Sequence, residues 1–331
     1  MALETLTSPS AESVTQQRTG VSVVIVVWNA QAYVLECLNS LREYCANAYS
    51  EVIVVDNAST DGTAELVAQR FPEFRLIRNS ENMGFAKANN IGMAESTGEY
   101  VCLVNSDVKF TNDCISPMLE YLNAHPEAAL LGPKMMGGDG KTAFRSTLRF
   151  PTVWNMFCRA LWLDVAFKGS SFFGGLLMTD FDHEATRPVE VLVGWFWLAR
   201  WSSIQRVGML NPQFFMYGED VDWCYRFRKA GEEVVFFAEA DAFHYGGASS
   251  SAAPARFYLE QTRANWRYFR MHHGLLAQAG FLAAVTTHHA LRLMGSCGVY
   301  LLSPSERSET RARLKRSLMC LQWVGTLGFS H

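Results

Sequence analysis

The stretch Val21-Ser22-Val23-Val24-Ile25-Val26-Val27-Trp28-Asn29-Ala30, together with the helical pattern after it, decides the fold. Apart from Ser22, residues 21–27 are all Val or Ile. Such a run without alternation suits a strand covered on both faces. Leu35, Leu38 and Leu41 then recur at helical spacing. The scheme repeats outward. Glu51 to Val55 reads as a strand, Thr63 to Arg70 as a helix, Arg75 to Arg78 as a short strand and Ala86 to Ser96 as a helix. Tyr100 to Val104 is another strand, Ile115 to Ala124 another helix, and an apolar segment lies around Ala129 to Gly132. Alternation of this kind predicts an α/β domain with a parallel sheet between helices.

Composition narrows the function classes. The chain has 331 residues, 49% of them hydrophobic, with 29 basic against 32 acidic side chains. That length supports a sizeable core, and the near balance of charge gives no general attraction for nucleic acid. Eight cysteines are scattered without a two-residue spacing, as reduced buried thiols are, which points to a cytoplasmic setting. Residues 1–20 are polar and read as a flexible tail without a secretory signal.

The expected organisation is a domain over residues 21–248, with a first half at 21–134 and a second half at 135–248, which the family resemblance given below makes a nucleotide-sugar-binding half and an acceptor half. The second half holds irregular loops to Pro188, then a helix over Asp220 to Ala230 and a strand over Glu233 to Phe237. A small-residue hinge, Ser249 to Pro254, leads to a helical extension over 249–331. Gly274 to Leu291 carries no formal charge, yet His288, His289 and Arg292 make a membrane span costly. The segment is expected either to lie on a membrane surface, with Arg307, Arg311, Arg313, Lys315 and Arg316 near anionic headgroups, or to pack on the domain.

Polar residues concentrate at the predicted strand ends. Asp56 closes the second strand, where ligands bind in open α/β sheets, and can accept a hydrogen bond from a ribose or base; the residues after it also turn the chain and cap the next helix. The first turn, Val27 to Ala32, has no glycine, which removes the phosphate-binding fingerprint of a nicotinamide enzyme. Gly84 permits a special turn, and Lys87, Asn89 and Asn90 place a cation and amides near the following helix start. Asp107, in Leu103-Val104-Asn105-Ser106-Asp107, ends a strand at the same edge and can hold a divalent cation when a diphosphate supplies further oxygens.

Glu219, Asp220 and Asp222 fall in four positions at a predicted helix start, more than capping needs, so one of them can act as a general base. His244 returns to the sheet edge and can complete a metal site with Asp107. His125 and His183 read as surface positions. His272, His273, His288 and His289 lie in the extension and suggest no ligand cluster. Gly194, Trp195, Phe196 and Trp197 offer aromatic faces to a ligand, which the resemblance given below makes an acceptor sugar, or belong to the core.

Together and in this order, the motifs over Val21 to Gly247 resemble the family 2 glycosyltransferases of GT-A fold, particularly their bacterial rhamnosyltransferase-like branch. The resemblance implies a Rossmann-like, mostly parallel sheet flanked by helices, with a C-terminal helical extension. It implies that Asp56 contacts the nucleobase, that Trp28, Asn29, Lys87, Asn89, Asn90 and Asn105 line the nucleotide and diphosphate pocket, and that Asp107 belongs to the metal motif. Asn105 stands where that motif often has a second Asp. Asp220 matches the catalytic base, Glu219 its acidic neighbour, and His244 an additional ligand for Mg²⁺ or Mn²⁺.

The implied reaction is inverting transfer of a sugar from a dTDP- or UDP-linked donor to a hydroxyl of a glycan or lipid-linked acceptor, at the inner face of the plasma membrane. Asn265, in Gln261-Thr262-Arg263-Ala264-Asn265-Trp266, replaces the Arg of the processive members' Gln-x-x-Arg-Trp, which favours addition of one or a few sugars. A metal-dependent nucleotidyltransferase and a silent sugar-binding homologue are the alternatives. The expected geometry brings Asp107, Asp220 and His244 around a single cavity.

Overall fold

The computed structural model describes residues 18–137, 141, 146–246, 254–302, 305 and 307–327. Most of the polar tail lies outside the described residues, as do Gly247 and the hinge from Ser249 to Ala253. In chain order the elements begin with β1 (Val21–Val27), α1 (Gln31–Tyr44), β2 (Glu51–Asp56), α2 (Thr63–Arg70), β3 (Arg75–Arg78), α3 (Phe85–Ala94) and β4 (Tyr100–Asn105). Next come β5 (Val108–Lys109), α4 (Ile115–Ala124), β6 (Ala128–Met136), β7 (Thr147–Leu148), α5 (Val153–Ala160) and α6 (Leu163–Ala166). Then follow β8 (Arg187–Pro188), β9 (Val191–Leu192), β10 (Phe196–Arg200), α7 (Trp201–Val207), α8 (Glu219–Lys229) and β11 (Glu233–His244). Three helices close the chain: α9 (Pro254–His272), α10 (Leu275–Leu302) and α11 (Arg307–Leu327).

The main sheet runs β3-β2-β1-β4-β10-β6-β11-β5, with β8 beside β11. The first four strands are mutually parallel, as is the β6–β11 pair. The expectation of a parallel sheet is corrected in the centre, where β10 runs antiparallel to both β4 and β6. The aromatic run Phe196-Trp197 therefore begins a central strand. The sheet has the Rossmann-like, mostly parallel GT-A arrangement, with helices flanking it and a helical region at the C-terminus.

The unbroken apolar character of β1 follows from this geometry. Successive side chains of a strand point to opposite faces. Val23, Ile25 and Val27 enter one core with α1 and α4, and Val24 enters the other. Over that second face α3 sits close: a Cβ on Gly92 would come within 2.3 Å of Val24 Cγ1. The same core takes in Trp223 and Phe227 of α8, Tyr268 and Phe269 of α9, and Phe281 and Val285 of α10. The C-terminal helices thus share a core with the sheet. No described helix is long and apolar enough to cross a membrane.

His183, expected at the surface, is fully buried, with its Nε2 2.8 Å from Thr147 Oγ1 and its ring against Phe181 and Phe236. His125 is half-buried and stacks on Tyr121. All eight cysteines are free thiols, and only Cys297 is exposed.

Candidate active site

The first cleft lies at the carboxyl ends of β1, β2 and β4. A cavity of about 110 Å³ is lined there by Trp28, Asn57, Asn82, Gly84, Asn105 and Asp107, and closed by Phe215 and Phe257. Its walls are held by one amide network. Asn57 Nδ2 donates to Asn82 Oδ1 (2.9 Å), while Asn57 Oδ1 accepts from Asn79 Nδ2 (3.0 Å) and the Met83 amide (2.9 Å). Gly84 has φ +81°, and a Cβ on it would meet the Phe215 carbonyl oxygen at 2.5 Å. Glycine is what lets the 79–85 loop dock against the 211–218 loop. The Phe85 amide seals the contact by donating to that carbonyl at 2.7 Å.

Asp56 is 3% exposed beside this cleft; its Oδ2 accepts from the Ser59 amide (3.1 Å), and its Oδ1 has no hydrogen-bond partner among the described residues. A buried acceptor left this way is costly unless a ligand satisfies it. Asn29 braces the two strand-end turns, accepting from the Thr60 amide at 2.8 Å and donating its own amide to Ser59 Oγ at 2.9 Å.

Asp107 and His244 meet at the far side of the cleft. His244 is the last residue of β11, which runs seven residues beyond the expected strand end, and antiparallel pairing with Val108 sets its register. His244 Nε2 lies 3.1 Å from Asp107 Oδ1 and 3.5 Å from Asn105 Nδ2, and the Trp195 ring stacks on the imidazole at 5.4 Å. One carboxylate oxygen and one imidazole nitrogen side by side form a donor set that fits a divalent cation whose other ligands come from a diphosphate and water. Among the described residues no group of three His, Cys, Asp or Glu could hold a metal without such help.

Glu219 and Asp220 open α8. Gly218, with φ +83°, makes the turn before them; a Cβ there would come within 2.9 Å of both Ala264 and Phe214. Backbone groups of Gly194, Gly218 and Val221 hold the Asp220 carboxylate, the last with an amide at 2.8 Å. Burial nevertheless pushes Asp220 above the usual Asp value. Glu219 is driven well above the usual Glu value by burial and by Asp220, and its Oε2 has no partner among the described residues. The third carboxylate is structural. Asp222 is 1% exposed and pairs with Arg226 Nε (2.9 Å) and His272 Nε2 (2.8 Å), which ties α8 to α9.

Asp220 faces a second cavity, of about 450 Å³, between α5, α8, α9 and α10. Sequence reasoning did not foresee how much of it the extension supplies: Tyr258, Gln261, Thr262 and Asn265 of α9, and Phe281, His288, His289 and Arg292 of α10. Three of these polar residues lie in the Gln261 to Trp266 stretch noted for its likeness to Gln-x-x-Arg-Trp. Burial and the Arg292 charge hold His288 down to about 3 and His289 to about 4.

The structure therefore brings together Trp28, Asn105 and Asp107 at one cavity, with His244 against Asp107, and places Asp220, held by the Gly194 backbone, at another. The expectation of a single cavity is corrected to two neighbouring ones, linked by adjacent residues: Met216 lines the first and Tyr217 the second, and Gly194 touches Asp220 while Trp195 backs His244. Trp195 and Trp197 are 2% and 1% exposed, so neither presents a face to an acceptor. Trp197 is buried by the central position of β10 and packs on Trp223 at 5.3 Å, while Trp195, just before the strand, lies against Phe196 and His244. Lys87 is exposed and lines neither cavity. Asn89 and Asn90 turn inward, donating to the Phe85 and Leu210 carbonyls at 3.0 and 2.7 Å. Asn57 and Asn82 take the places expected for them, and their signal was present in two asparagines at or just after strand ends.

Comparison with known proteins agrees with this architecture. Residues 22–185 match the model of glycosyl transferase family 2. The chain belongs to that family. It is 29% identical over 237 residues to the N-acetylglucosaminyl-diphospho-decaprenol L-rhamnosyltransferase of Mycobacterium tuberculosis, covering 67% of this chain and 75% of that one. A shorter match, 29% identical over 124 residues, covers 36% of this chain and 22% of the poly(ribitol-phosphate) beta-N-acetylglucosaminyltransferase TarS of Staphylococcus aureus. Among solved structures, the mannosyltransferase PcManGT of Pyrobaculum calidifontis, in complex with GDP-Man and Mn²⁺, superposes with a TM-score of 0.51 at 17% identity, covering 92% of this chain and 88% of that one. That likeness concerns the fold.

Proposed function

We propose that this chain is an inverting, non-processive glycosyltransferase that moves a hexosyl or rhamnosyl group from a dTDP- or UDP-linked donor to a hydroxyl of a glycan or lipid-linked acceptor, in cell-surface polysaccharide synthesis. The observation that carries this is the placement of Asp220, a half-buried carboxylate raised above its ordinary value, at the wall of a large cavity next to the strand-end cleft.

The roles follow from the contacts. Asp56 Oδ1 is the acceptor for an N–H of the base, because it is buried and lacks a partner among the described residues. Trp28, Asn57, Asn82 and Asn105 line the space for the nucleotide and its phosphates. Asp107 and His244 would hold a divalent cation, Mg²⁺ or Mn²⁺, which supplies positive charge against the negative charge growing on the diphosphate as it leaves. Asp220 accepts the proton of the attacking hydroxyl as the bond to the anomeric carbon forms. Its raised value, caused by burial, makes it a better proton acceptor than an exposed Asp. One base on the face opposite the leaving group gives inversion.

A lipid-linked acceptor is supported by the surface beside the second cavity. Leu161, Trp162, Val165 and Phe167 are all at least 40% exposed, and Leu275 and Leu276 at the start of α10 are 81% and 92% exposed. Apolar side chains exposed in this way, at the α5–α6 turn and at the start of α10, suit a peripheral seat on a membrane. Partition with membranes after cell fractionation, lost when Leu275 and Leu276 are replaced by Ser, checks that seat; unchanged partition removes it.

The main test is a panel of nucleotide sugars with Mn²⁺ or Mg²⁺, scored for nucleoside diphosphate release and for the anomeric configuration of the product. Inverted product with one donor is expected. Retained configuration excludes Asp220 as the base, and tight nucleotide binding without turnover on any acceptor identifies a silent homologue.

A further inference from the structure

A third cavity, of about 470 Å³, lies behind the second one, and Tyr258 and Arg292 line both. Its other walls come from Trp162, from Ser296 of α10 and from Thr310, Arg313, Arg316 and Ser317 of α11. No carboxylate lines it among the described residues. Arg313 is balanced by Glu309 at 2.6 Å. Arg292 and Arg316 are half-buried and make no ion pair among the described residues. Their guanidinium groups rest on aromatic faces instead, Arg292 over Trp162 at 5.2 Å and Arg316 over Tyr258 at 5.8 Å. Arg292 Nε also donates to His288 Nε2 at 2.7 Å, so His288 is an acceptor and adds no positive charge of its own.

Two partly desolvated guanidinium groups without a counter-ion are unfavourable, and planar N–H forks are suited to phosphate oxygens. The buried hydroxyls of Thr310 and Ser317 add polar groups at the same wall. We propose that this cavity binds the phosphate or diphosphate group of the acceptor, so that the acceptor is a phosphate ester whose sugar lies in the neighbouring cavity with its hydroxyl towards Asp220. The inference rests on the reading of Asp220 as the base. It gives the shared residues a function: Tyr258 and Arg292 stand where the sugar would join its phosphate.

The probe is inorganic pyrophosphate, titrated calorimetrically into the full chain in EDTA, so that no cation contributes at Asp107. Measurable binding is expected, weakened at least tenfold in Arg292→Gln and in Arg316→Gln, and kept within a few-fold in Arg316→Lys and in the remote control Arg42→Gln. Absent binding, or wild-type affinity in both Gln variants, overturns the proposal. If a Gln variant fails to fold, the Arg316→Lys and wild-type proteins are compared in rising salt, where a charge-based site weakens in both and a salt-independent affinity overturns it. Vesicles of phosphatidylcholine with phosphatidylglycerol separate the two sources of phosphate. Unchanged pyrophosphate affinity in their presence supports an acceptor phosphate, and competition assigns the site to membrane headgroups and overturns it. Failure of the transferase reading would show as no sugar transfer with pyrophosphate binding intact, so the two failures are distinguishable.

Discussion

The strand-end cleft and the cavity facing Asp220 are built in opposite ways. The cleft is made by the segments after β1, β2, β3 and β4, where Asn29, Asn57 and Asn82 satisfy nearby backbone and amide groups. The cavity is made by helices far apart in the chain, α5, α8, α9 and α10, meeting over one apolar core. A strand-end site is rigid because the sheet sets it, and its polar residues announce themselves locally. A cavity between helices depends on packing, so its polar residues are scattered and its shape answers to distant substitutions.

The sharpest break between the two regions is Asp220→Asn. Turnover should fall by roughly two or more orders of magnitude while nucleotide affinity in the cleft stays close to normal. Near-normal turnover in a folded variant would remove the base from the second cavity. Asp107→Ala should act on the other side, lowering the metal-dependent part of nucleoside diphosphate affinity by about tenfold or more, as loss of a metal ligand does. Affinity equally responsive to Mn²⁺ in variant and wild type would place the cation elsewhere.

Stability separates the regions too. His289 is buried and held neutral to about 4, whereas an unfolded His takes up its proton near 6.5. Because the unfolded chain binds more protons in that window, stability is full above about pH 7 and falls as pH drops from 6.5 towards 4, by a magnitude on the order of 3 kcal/mol. Denaturant titrations of wild type and His289→Gln should show a shallower decline in the variant, and identical slopes would sink the assignment. Under the cleft, Gly92→Ala places a methyl against Val24 and should cost about 1–3 kcal/mol with little change in pH dependence.

Glu219→Gln has the smallest expected effect. The native carboxyl is raised well above its unfolded value, so its contribution favours the fold at low pH and is lost as pH rises. A permanently neutral Gln should leave melting temperature at neutral pH unchanged or raise it by a few degrees, which for this chain corresponds to about 1 kcal/mol. A clear drop would show that the ionised form is held by a partner.

Much of the first region was legible. Val21 to Val27, Thr63 to Arg70, Arg75 to Arg78 and Ile115 to Ala124 form the expected elements with the expected bounds. Strand and helix periods are local, and each strand of the parallel part buries both faces. The direction of β10 was not legible, because an apolar aromatic strand has the same pattern whichever way it runs. For the same reason Trp195 and Trp197 looked available to a sugar. Lys87, Asn89 and Asn90 pointed to the right region, but they lie inside α3, where Lys87 faces water, while Asn82 and Gly84 in the loop before that helix reach the cleft.

What the residue order determined by itself was the alternating α/β plan and the gathering of Asp56, Asn105 and Asp107 at one sheet edge, since parallel strands joined by crossovers must all end on the same side. Only the tertiary structure decided that β11 extends to carry His244 onto Asp107, and that α9 to α11 fold back to wall the cavity of Asp220. Those contacts join residues more than a hundred positions apart in one case and whole helices in the other, and their energy comes from packing that no local pattern encodes.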